Sequence, residues 1–302
     1  MNQIVVYGEI GVDNAIQVPE LPAPELAVFP TSDSYHIGGA AANVAVALAA
    51  WDVPVRLAGN AIGDDDLGRK LRGWLARYPA LDLALLETAD HPTPFCRILV
   101  LPSGERAILV YGYPQTRKTA LTAARLAGAR YLALDLYGGP ERLEAARQAR
   151  AAGVQTVVGD VVWPDHPALP LTDIATNSAA YIRHEFVGRD PVAHSHALQQ
   201  ISGGVVITTD GPHPVHVLDR AGQQFWVRPP SVPVVDATGA GDAFKAGLLY
   251  GLAQGWDMPR AVPWGVAAGA LKVGRLGAGS EPASVVEVEA LARGLTITTV
   301  LE

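Results

Sequence analysis

Asp236-Ala237-Thr238-Gly239-Ala240-Gly241-Asp242 runs directly into an apolar stretch with helical spacing, residues 243–252. A turn of small residues that opens a helix leaves backbone N–H groups free at the positive end of the helix dipole, where they can bind a phosphate. The glycines let a ligand approach the backbone closely, and Asp242 adds a carboxylate in the first turn. Phosphoryl transfer uses such amides together with a carboxylate that takes the proton of the attacking hydroxyl. The stretch therefore predicts a phosphotransferase site, and a plainly capped helix start is the alternative interpretation.

A second motif lies about two hundred residues upstream, where Gly38-Gly39-Ala40-Ala41-Ala42-Asn43 opens another helix of small residues. Paired glycines let the hydroxyls of a sugar lie against the main chain, and Asn43 can both donate and accept hydrogen bonds. Close packing of small residues is the alternative, but it explains the alanines better than it explains Asn43. We therefore predict that Gly38, Gly39 and Asn43 contact a polyol.

The first strand of the chain supports a ligand site at the same place. Residues 4–8, Ile-Val-Val-Tyr-Gly, are a continuous apolar run typical of a buried strand, and Asp13 follows shortly afterwards. Ligands of open α/β sheets bind at the carboxyl ends of the strands. Asp13 is therefore a candidate substrate ligand, with an ordinary turn residue as the alternative.

Together these motifs resemble the signatures of the ribokinase-like (PfkB) carbohydrate kinases. The resemblance implies that Asp242 is the catalytic base, that the amides of Gly239, Ala240 and Gly241 form an anion hole, and that Asp13 binds two sugar hydroxyls. On the nucleotide side it implies that Thr209 and Gly211 contact the ATP phosphates and ribose, and that Gly277 and Ala278 face the adenine. ATP and Mg²⁺ are the implied cofactors, and a monovalent cation such as K⁺ is left open.

The chain departs from the family pattern at one acidic position. The Asn-x-x-Glu motif, whose Glu helps to organise magnesium, is replaced by Asn177-Ser178-Ala179-Ala180. Asp160, at the end of a predicted strand, is the candidate to contact the metal through water instead. Lys245 is expected to extend to solvent rather than to bind phosphate, because a long side chain early in a helix usually does so.

Alternation of strands and helices predicts the fold class. We expect an α/β, ribokinase-like fold with a mostly parallel central sheet and helices on both faces. The predicted single domain spans residues 1–302, with strands of a small β-sheet lid inserted at about 13–36 and 95–111. Such a lid would exclude water from the acceptor. A Val-rich strand at residues 232–235 is expected to lead into the phosphate-binding turn.

Composition limits the classes of partner. A net charge of −7 argues against a general nucleic-acid surface, one cysteine excludes an internal disulfide, and no apolar run approaches the roughly 20 residues of a membrane span. We therefore expect a cytoplasmic enzyme with no nucleic-acid or membrane partner. A homodimer through the lid is a further possibility, because the exposed face of a lid sheet often pairs with another subunit.

The function predicted is ATP-dependent phosphorylation of a primary hydroxyl of a small sugar or sugar-like alcohol. A nucleoside kinase is one alternative, since Phe95 and Tyr111 of the predicted lid could stack on a base. A catalytically silent sugar- or nucleotide-binding regulator is the other, because the family's Glu is missing.

Overall fold

The computed structural model describes residues 4–279 and 281–299, so residues 1–3 and 300–302 of the predicted domain lie outside the described residues. The strands are β1 (Ile4–Gly8), β2 (Gly11–Gln17), β3 (Ser32–Gly38), β4 (Val55–Gly59), β5 (Ile62–Gly63), β6 (Leu81–Asp82), β7 (Thr88–Ala89), β8 (Phe95–Val100), β9 (Arg106–Tyr111), β10 (Tyr131–Leu134), β11 (Gln155–Gly159), β12 (Ile174–Ser178), β13 (Val205–Asp210), β14 (His213–Leu218), β15 (Gln224–Val227) and β16 (Ile297–Thr298). The helices are α1 (Ala40–Ala50), α2 (Asp66–Leu75), α3 (Pro140–Ala151), α4 (Ala179–Glu185), α5 (Pro191–Ser202), α6 (Ala240–Ala253), α7 (Met258–Val273) and α8 (Val285–Ala292).

Ten of the described strands form one twisted sheet, which confirms the predicted α/β architecture. Their order is β16-β15-β14-β13-β12-β11-β10-β1-β4-β6, and the pairs from β13 to β6 are parallel. Parallel strands require crossovers, and the helices provide them on both faces of the sheet. In the described part of the chain, no helix is both long enough and apolar enough to cross a membrane.

The side chains of β1 show how the two faces are filled. Ile4 and Val6 belong to a core that includes the apolar side chains of α1, α6 and α7, whereas Val5 and Tyr7 belong to a second core on the α3 side. A strand that is buried on both faces must be apolar throughout, which explains the unbroken run in the sequence.

A separate sheet of four strands, β3-β2-β8-β9, overlaps the ranges predicted for the lid, with β2 starting at Gly11 and β3 ending at Gly38. β2 pairs antiparallel with β3 and parallel with β8, and β8 pairs antiparallel with β9. β9 is an edge strand, and its residues 108–111, Ile-Leu-Val-Tyr, are exposed. The lid therefore presents an apolar edge as well as a face toward the body of the protein.

The prediction of a strand at residues 232–235 is wrong, because this segment is irregular. Pro229, Pro230 and Pro233 lack the N–H groups that a sheet ladder requires. The segment is instead fixed at its end, where the N–H groups of Val235 and Asp236 donate to the carbonyl of Val273, at 2.7 and 3.1 Å. The glycine turn before α6 is thus preceded by an irregular segment that is hydrogen-bonded to the end of α7, not by a strand.

Candidate active site

Polar residues lie at the carboxyl ends of five neighbouring parallel strands of the main sheet. In sheet order they are Thr209 in β13, Asn177 in β12, Asp160 after β11, Asp135 after β10 and Glu9 after β1. The carboxyl ends of these strands all point the same way, so the residues lie along one sheet edge, the place where open α/β sheets form their ligand crevice. The sequence predicted Thr209 and Asp160 as site residues but missed the carboxylates of Asp135 and Glu9.

The amino end of α6 supplies free amides to this crevice. Gly239 precedes the helix with φ +77°, and a Cβ there would lie 2.9 Å from backbone atoms of Ala278. The N–H of Ala240 donates to the Ala237 carbonyl at 3.3 Å, but those of Gly241 and Asp242 have no protein acceptor among the described residues. Gly241 is exposed, with open space where a side chain would stand. Two amides at a helix start are therefore available to an anion.

Asp236, the first residue of the motif, holds this turn in place. Its carboxylate is fully buried and accepts hydrogen bonds from the N–H of Thr238, at 2.8 Å, and of Gly277, at 2.9 Å. The buried ammonium of Lys272 lies 3.7 Å from the same carboxylate and donates to the Asp236 carbonyl at 2.7 Å. Burial lowers the pKa of Lys272 to about 8, and Asp236 opposes that shift. The two acids of the motif thus differ, since Asp236 supports the turn and Asp242 faces the crevice.

Asn43 joins the upstream motif to Asp242. Its Nδ2 donates to Asp242 Oδ2 at 2.8 Å, across 199 residues of sequence. Gly39 starts α1 with φ +86°, and the carbonyl of Glu9 accepts from the N–H of Ala41 at 3.1 Å, which fixes this helix against the end of β1. The paired glycines, the amide turn and the carboxylate therefore meet at one place.

Asp13 lies beside the paired glycines, on the lid side of the site. It belongs to lid strand β2 and is only 4% exposed, and Gly38 faces its carboxylate so closely that a Cβ on Gly38 would lie 2.2 Å from Asp13 Oδ1. Burial, followed by the charges of Asp242 and Asp236, raises the pKa of Asp13 to about 7. A buried carboxylate at such a cost needs hydrogen-bond donors, which the hydroxyls of a sugar would supply.

The pKa of the Asp242 carboxyl lies in the range that suits a general base near neutral pH. Burial raises its pKa to about 6, against the opposing effects of the Lys245 ammonium and the Asn43 hydrogen bond. The carboxylates of Asp160 and Asp135 add to the rise. A general base is most effective when its pKa lies near the working pH.

The expectation that Lys245 reaches solvent is wrong. Its side chain is 7% exposed and crosses to the end of β11, where Nζ lies so near Gly159 that a Cβ on that glycine would be 2.3 Å away. No carboxylate of the described residues lies within 4.0 Å of Nζ. The crevice therefore contains an ammonium group that the sequence reading left out.

The predicted nucleotide residues fall into two places. Thr209 and Gly211 lie at the end of β13, where the Thr209 hydroxyl donates to the Asn177 carbonyl at 3.2 Å and Gly211 has φ +55°. Gly277 and Ala278 lie behind the amide turn, because Gly277 donates to Asp236 and Ala278 contacts Gly239. Gly277 also approaches His36 of the lid.

Asp160 and Asn177 carry the oxygens that a magnesium ion would require. Asp160 has φ +57°, and its Oδ2 accepts a hydrogen bond from the Tyr137 hydroxyl at 2.6 Å. Asn177 is 2% exposed, and neither its Oδ1 nor its Nδ2 has a partner. The described residues contain no cluster of three or more acids, histidines or cysteines that could hold a metal by itself. Mg²⁺ commonly uses one or two carboxylates, water and substrate phosphates, so the donor set fits such a shared site.

A buried ion pair lies at the β10 and β1 end of the crevice. Arg142 Nε donates to Asp135 Oδ1 at 3.0 Å, and the guanidinium lies 4.9 Å from the centre of the Tyr7 ring. Asp135 Oδ2 accepts from the N–H of Glu9 at 2.7 Å. Burial, followed by the charge of Asp135, raises the pKa of Glu9 to about 7. These residues belong to no motif, and only their positions after strands could have identified them.

The two lid aromatics contact each other. Phe95 and Tyr111 stack with ring centres 4.6 Å apart and an angle of 7° between their planes. A nucleobase cannot lie between rings that are already in contact. The pair thus gives less stacking surface than two separate rings would.

Comparison with known proteins identifies the class. The family model for pfkB family carbohydrate kinases matches residues 1–284, and the chain belongs to this family. The predicted class of enzyme, a carbohydrate kinase, is thereby confirmed.

Two curated relatives show how varied the acceptors of similar proteins are. The chain is 29% identical over 297 residues to acarbose 7(IV)-phosphotransferase of Actinoplanes sp., with 88% of this chain and 90% of that protein covered. It is also 29% identical over 300 residues to ATP-dependent ribose-1-phosphate kinase of Halopiger xanaduensis, with 93% and 95% covered.

Solved structures confirm the ribokinase-like fold. A putative ribokinase from Agrobacterium tumefaciens superposes with a TM-score of 0.86 at 22% identity, over 96% of this chain and 97% of that one. Arabidopsis thaliana ribokinase complexed with ribose and ATP superposes with a TM-score of 0.80 at 18% identity, over 97% and 99%.

Proposed function

We propose that this protein transfers the γ-phosphoryl group of ATP to a primary hydroxyl of a small sugar or sugar-like alcohol. The observation that carries the proposal is the 2.8 Å hydrogen bond between Asn43 and Asp242. It brings the polyol-binding helix start, the proposed base and the free amides of Gly241 and Asp242 to one point.

Each group then has a distinct task. Asp13, Gly38, Gly39 and Asn43 bind and orient the acceptor, and Asp242 takes the proton from its attacking hydroxyl. The predicted anion hole, which stabilises charge on the migrating group, comprises the amides of Gly239, Ala240 and Gly241. Because the Ala240 N–H already donates to the Ala237 carbonyl at 3.3 Å, we assign the free amide of Asp242 to it as well. Thr209 and Gly211 bind the nucleotide from β13, and Gly277 and Ala278 are assigned to its adenine side. The lid closes over the acceptor and excludes water, which would otherwise compete as the nucleophile.

The proposed cofactors are ATP and Mg²⁺. Asp160, through water, and the unpartnered Asn177 would hold the metal together with the phosphates of the nucleotide. When bound, the ion neutralises phosphate charge and orients the leaving group. Because Ala180 stands where the family has Glu, this chain contributes fewer carboxylates to that task.

A monovalent cation such as K⁺ is the cofactor that the sequence left open. The buried Asp236 carboxylate already has a cation beside it, the Lys272 ammonium at 3.7 Å. We therefore expect turnover to differ little between K⁺ and Na⁺ buffers, and a direct comparison of the two rates tests this.

The function is tested with purified protein, ATP, Mg²⁺ and a panel of acceptors, with ADP formation as the readout. The panel contains ribose, ribose 1-phosphate, acarbose and fructoselysine, which the names of relatives suggest, and several nucleosides. Turnover with a sugar supports the proposal, and turnover with nucleosides alone would favour the nucleoside kinase. Binding without turnover for every acceptor would favour the silent regulator.

The role of Asp242 is tested by Asp242→Asn. Loss of a general base typically reduces kcat by 10²–10⁴-fold, and ATP affinity should change little. The exposed residue Asp90 gives a matched control, Asp90→Asn, which should retain full turnover. Near-normal kcat in Asp242→Asn would refute the assignment.

The proposal also includes a single working domain over residues 1–302, a cytoplasmic location and a homodimer. The exposed apolar edge of β9 supports an interface through the lid, because an unpaired apolar strand edge tends to pair with another chain. Light scattering of the wild type and of Val110→Glu tests this. A mass that corresponds to a monomer in the wild type would exclude the dimer.

A further inference from the structure

Lys245 carries an ammonium group in the crevice that makes no ion pair with any residue of the described protein. Its side chain is 7% exposed, and Nζ lies against Gly159 at the end of β11. It lies three residues after Asp242, so the two side chains share one face of α6. The ammonium is near enough to lower the pKa of the Asp242 carboxyl. A side chain that is largely buried and whose ammonium makes no ion pair favours an anionic ligand, because a charge mostly removed from water without a partner is costly.

The order of strands indicates which part of the ligand this is. β11 lies between β13, which carries the nucleotide residues Thr209 and Gly211, and β1, which leads to the acceptor residue Asp13. A group passing from nucleotide to acceptor crosses this position. Asn177, one strand away, has an amide that is also buried without a partner. Two unpartnered polar side chains thus flank the path between the two substrates.

We propose that Lys245 contacts the γ-phosphoryl group of ATP and stabilises its charge during transfer, an inference that rests on the proposed function. The motif around Asp242 assigns no task to this position. The positive charge of Lys245 would offset part of what is lost where Ala180 replaces the acid that organises magnesium. Lys245 is therefore a catalytic residue, and its partner is the one phosphate that ATP has and ADP lacks.

The test compares Lys245→Met with wild type by calorimetry and by turnover. Methionine keeps the apolar stem and removes the charge. We expect the affinity for the non-hydrolysable analogue AMP-PNP to fall about tenfold, the affinity for ADP to stay within twofold, and kcat to fall about 10²-fold or more. Lys70→Met, at an exposed lysine on α2, is the matched control and should match the wild type in all three.

Gly159→Ala provides a second, independent perturbation. It places a methyl group 2.3 Å from the position of Nζ and displaces the ammonium while the lysine remains. Gly159→Ala should reproduce the selective loss of AMP-PNP affinity. Lys245→Arg, which keeps the positive charge, should retain most of the AMP-PNP affinity that Lys245→Met loses. If Lys245→Met folds poorly, Gly159→Ala and Lys245→Arg still decide the question.

The outcomes separate this inference from the proposed function. Equal losses for AMP-PNP and ADP, or a kcat within threefold of wild type, would overturn the role of Lys245. A wild-type protein that neither binds AMP-PNP nor forms ADP with any acceptor would instead overturn the kinase assignment.

Discussion

Replacing Asp13 by Asn should stabilise the protein at high pH while it damages acceptor binding. The pKa of Asp13 rises from 3.8 to about 7 in the folded protein, with burial as the largest cause. At 1.36 kcal/mol per pH unit, the ionised carboxylate destabilises the fold by about 4 kcal/mol once the pH exceeds the folded pKa. Asparagine is uncharged but is an imperfect substitute for hydrogen bonding, so we expect about half of this, ~2 kcal/mol, as a net gain.

The sign of the effect depends on pH. A carboxyl group whose pKa is raised by folding favours the folded state below its unfolded pKa, and this advantage is lost as the pH rises toward about 7. Thermal unfolding of wild type and Asp13→Asn should therefore give similar Tm values near pH 4. Above pH 7 the variant should melt about 4 °C higher, since about 1 kcal/mol shifts Tm by roughly 2 °C in a chain of this size.

The control and the refuting result are direct. Asp90→Asn, at an exposed acid, should show no such pH-dependent gain. The same Asp13→Asn protein should bind the acceptor weakly, because the carboxylate that faces Gly38 is gone. A Tm difference that is constant from pH 4 to 8, or a variant less stable than wild type at pH 8, would show that the buried charge is not costly.

Three further predictions concern the base, the amide turn and the buried ion pair. On the acidic side, log kcat/KM should fall with a slope near two below about pH 6. The reason is that Asp242, with a pKa of about 6, and Asp13, with a pKa of about 7, must both be ionised. A flat profile down to pH 5 would contradict this. Asp13→Asn should reduce the slope to one. Gly239→Val should lower kcat/KM by at least tenfold and destabilise the fold by more than about 1 kcal/mol, because φ is +77° and Ala278 lies 2.9 Å from the added Cβ; unchanged steady-state kinetics would contradict the amide cradle. Arg142→Met should cost about 3–5 kcal/mol in urea unfolding, since it leaves the Asp135 charge buried and unpaired; a double variant with Asp135→Asn that recovers no stability would contradict the ion-pair explanation.

Short motifs predicted the centre of the site because their chemistry is local. Paired glycines before a helix and a glycine turn before an acid each specify a backbone shape, and the family resemblance placed both at one cavity. Asn43 contacts Asp242, and Gly38 lies against Asp13, so the two motifs are neighbours in the fold, while their role in binding stays a prediction. The fold class followed from the alternation of strands and helices in the same way.

Features set by tertiary contacts were harder to predict. Lys245 was expected in solvent because its helix position alone does not reveal Gly159, whose missing side chain makes room for Nζ. The strand expected at residues 232–235 does not form, because Pro233 interrupts the valines and Pro229 and Pro230 precede them. Asp135 and Arg142 form an ion pair across seven residues of sequence, and neither residue alone indicates that its side chain is buried in such a pair.

The hydrogen bond from Asn43 makes the two oxygens of Asp242 inequivalent. Oδ2 accepts the amide hydrogen bond, so Oδ1 is the less engaged oxygen and would take the proton of the acceptor in the proposed reaction. A carboxylate that rotates freely could serve either of two adjacent hydroxyl groups and yield a mixture of esters. In the proposed reaction the asparagine would therefore fix the orientation of the carboxylate and, through it, favour one hydroxyl of the acceptor over its neighbours.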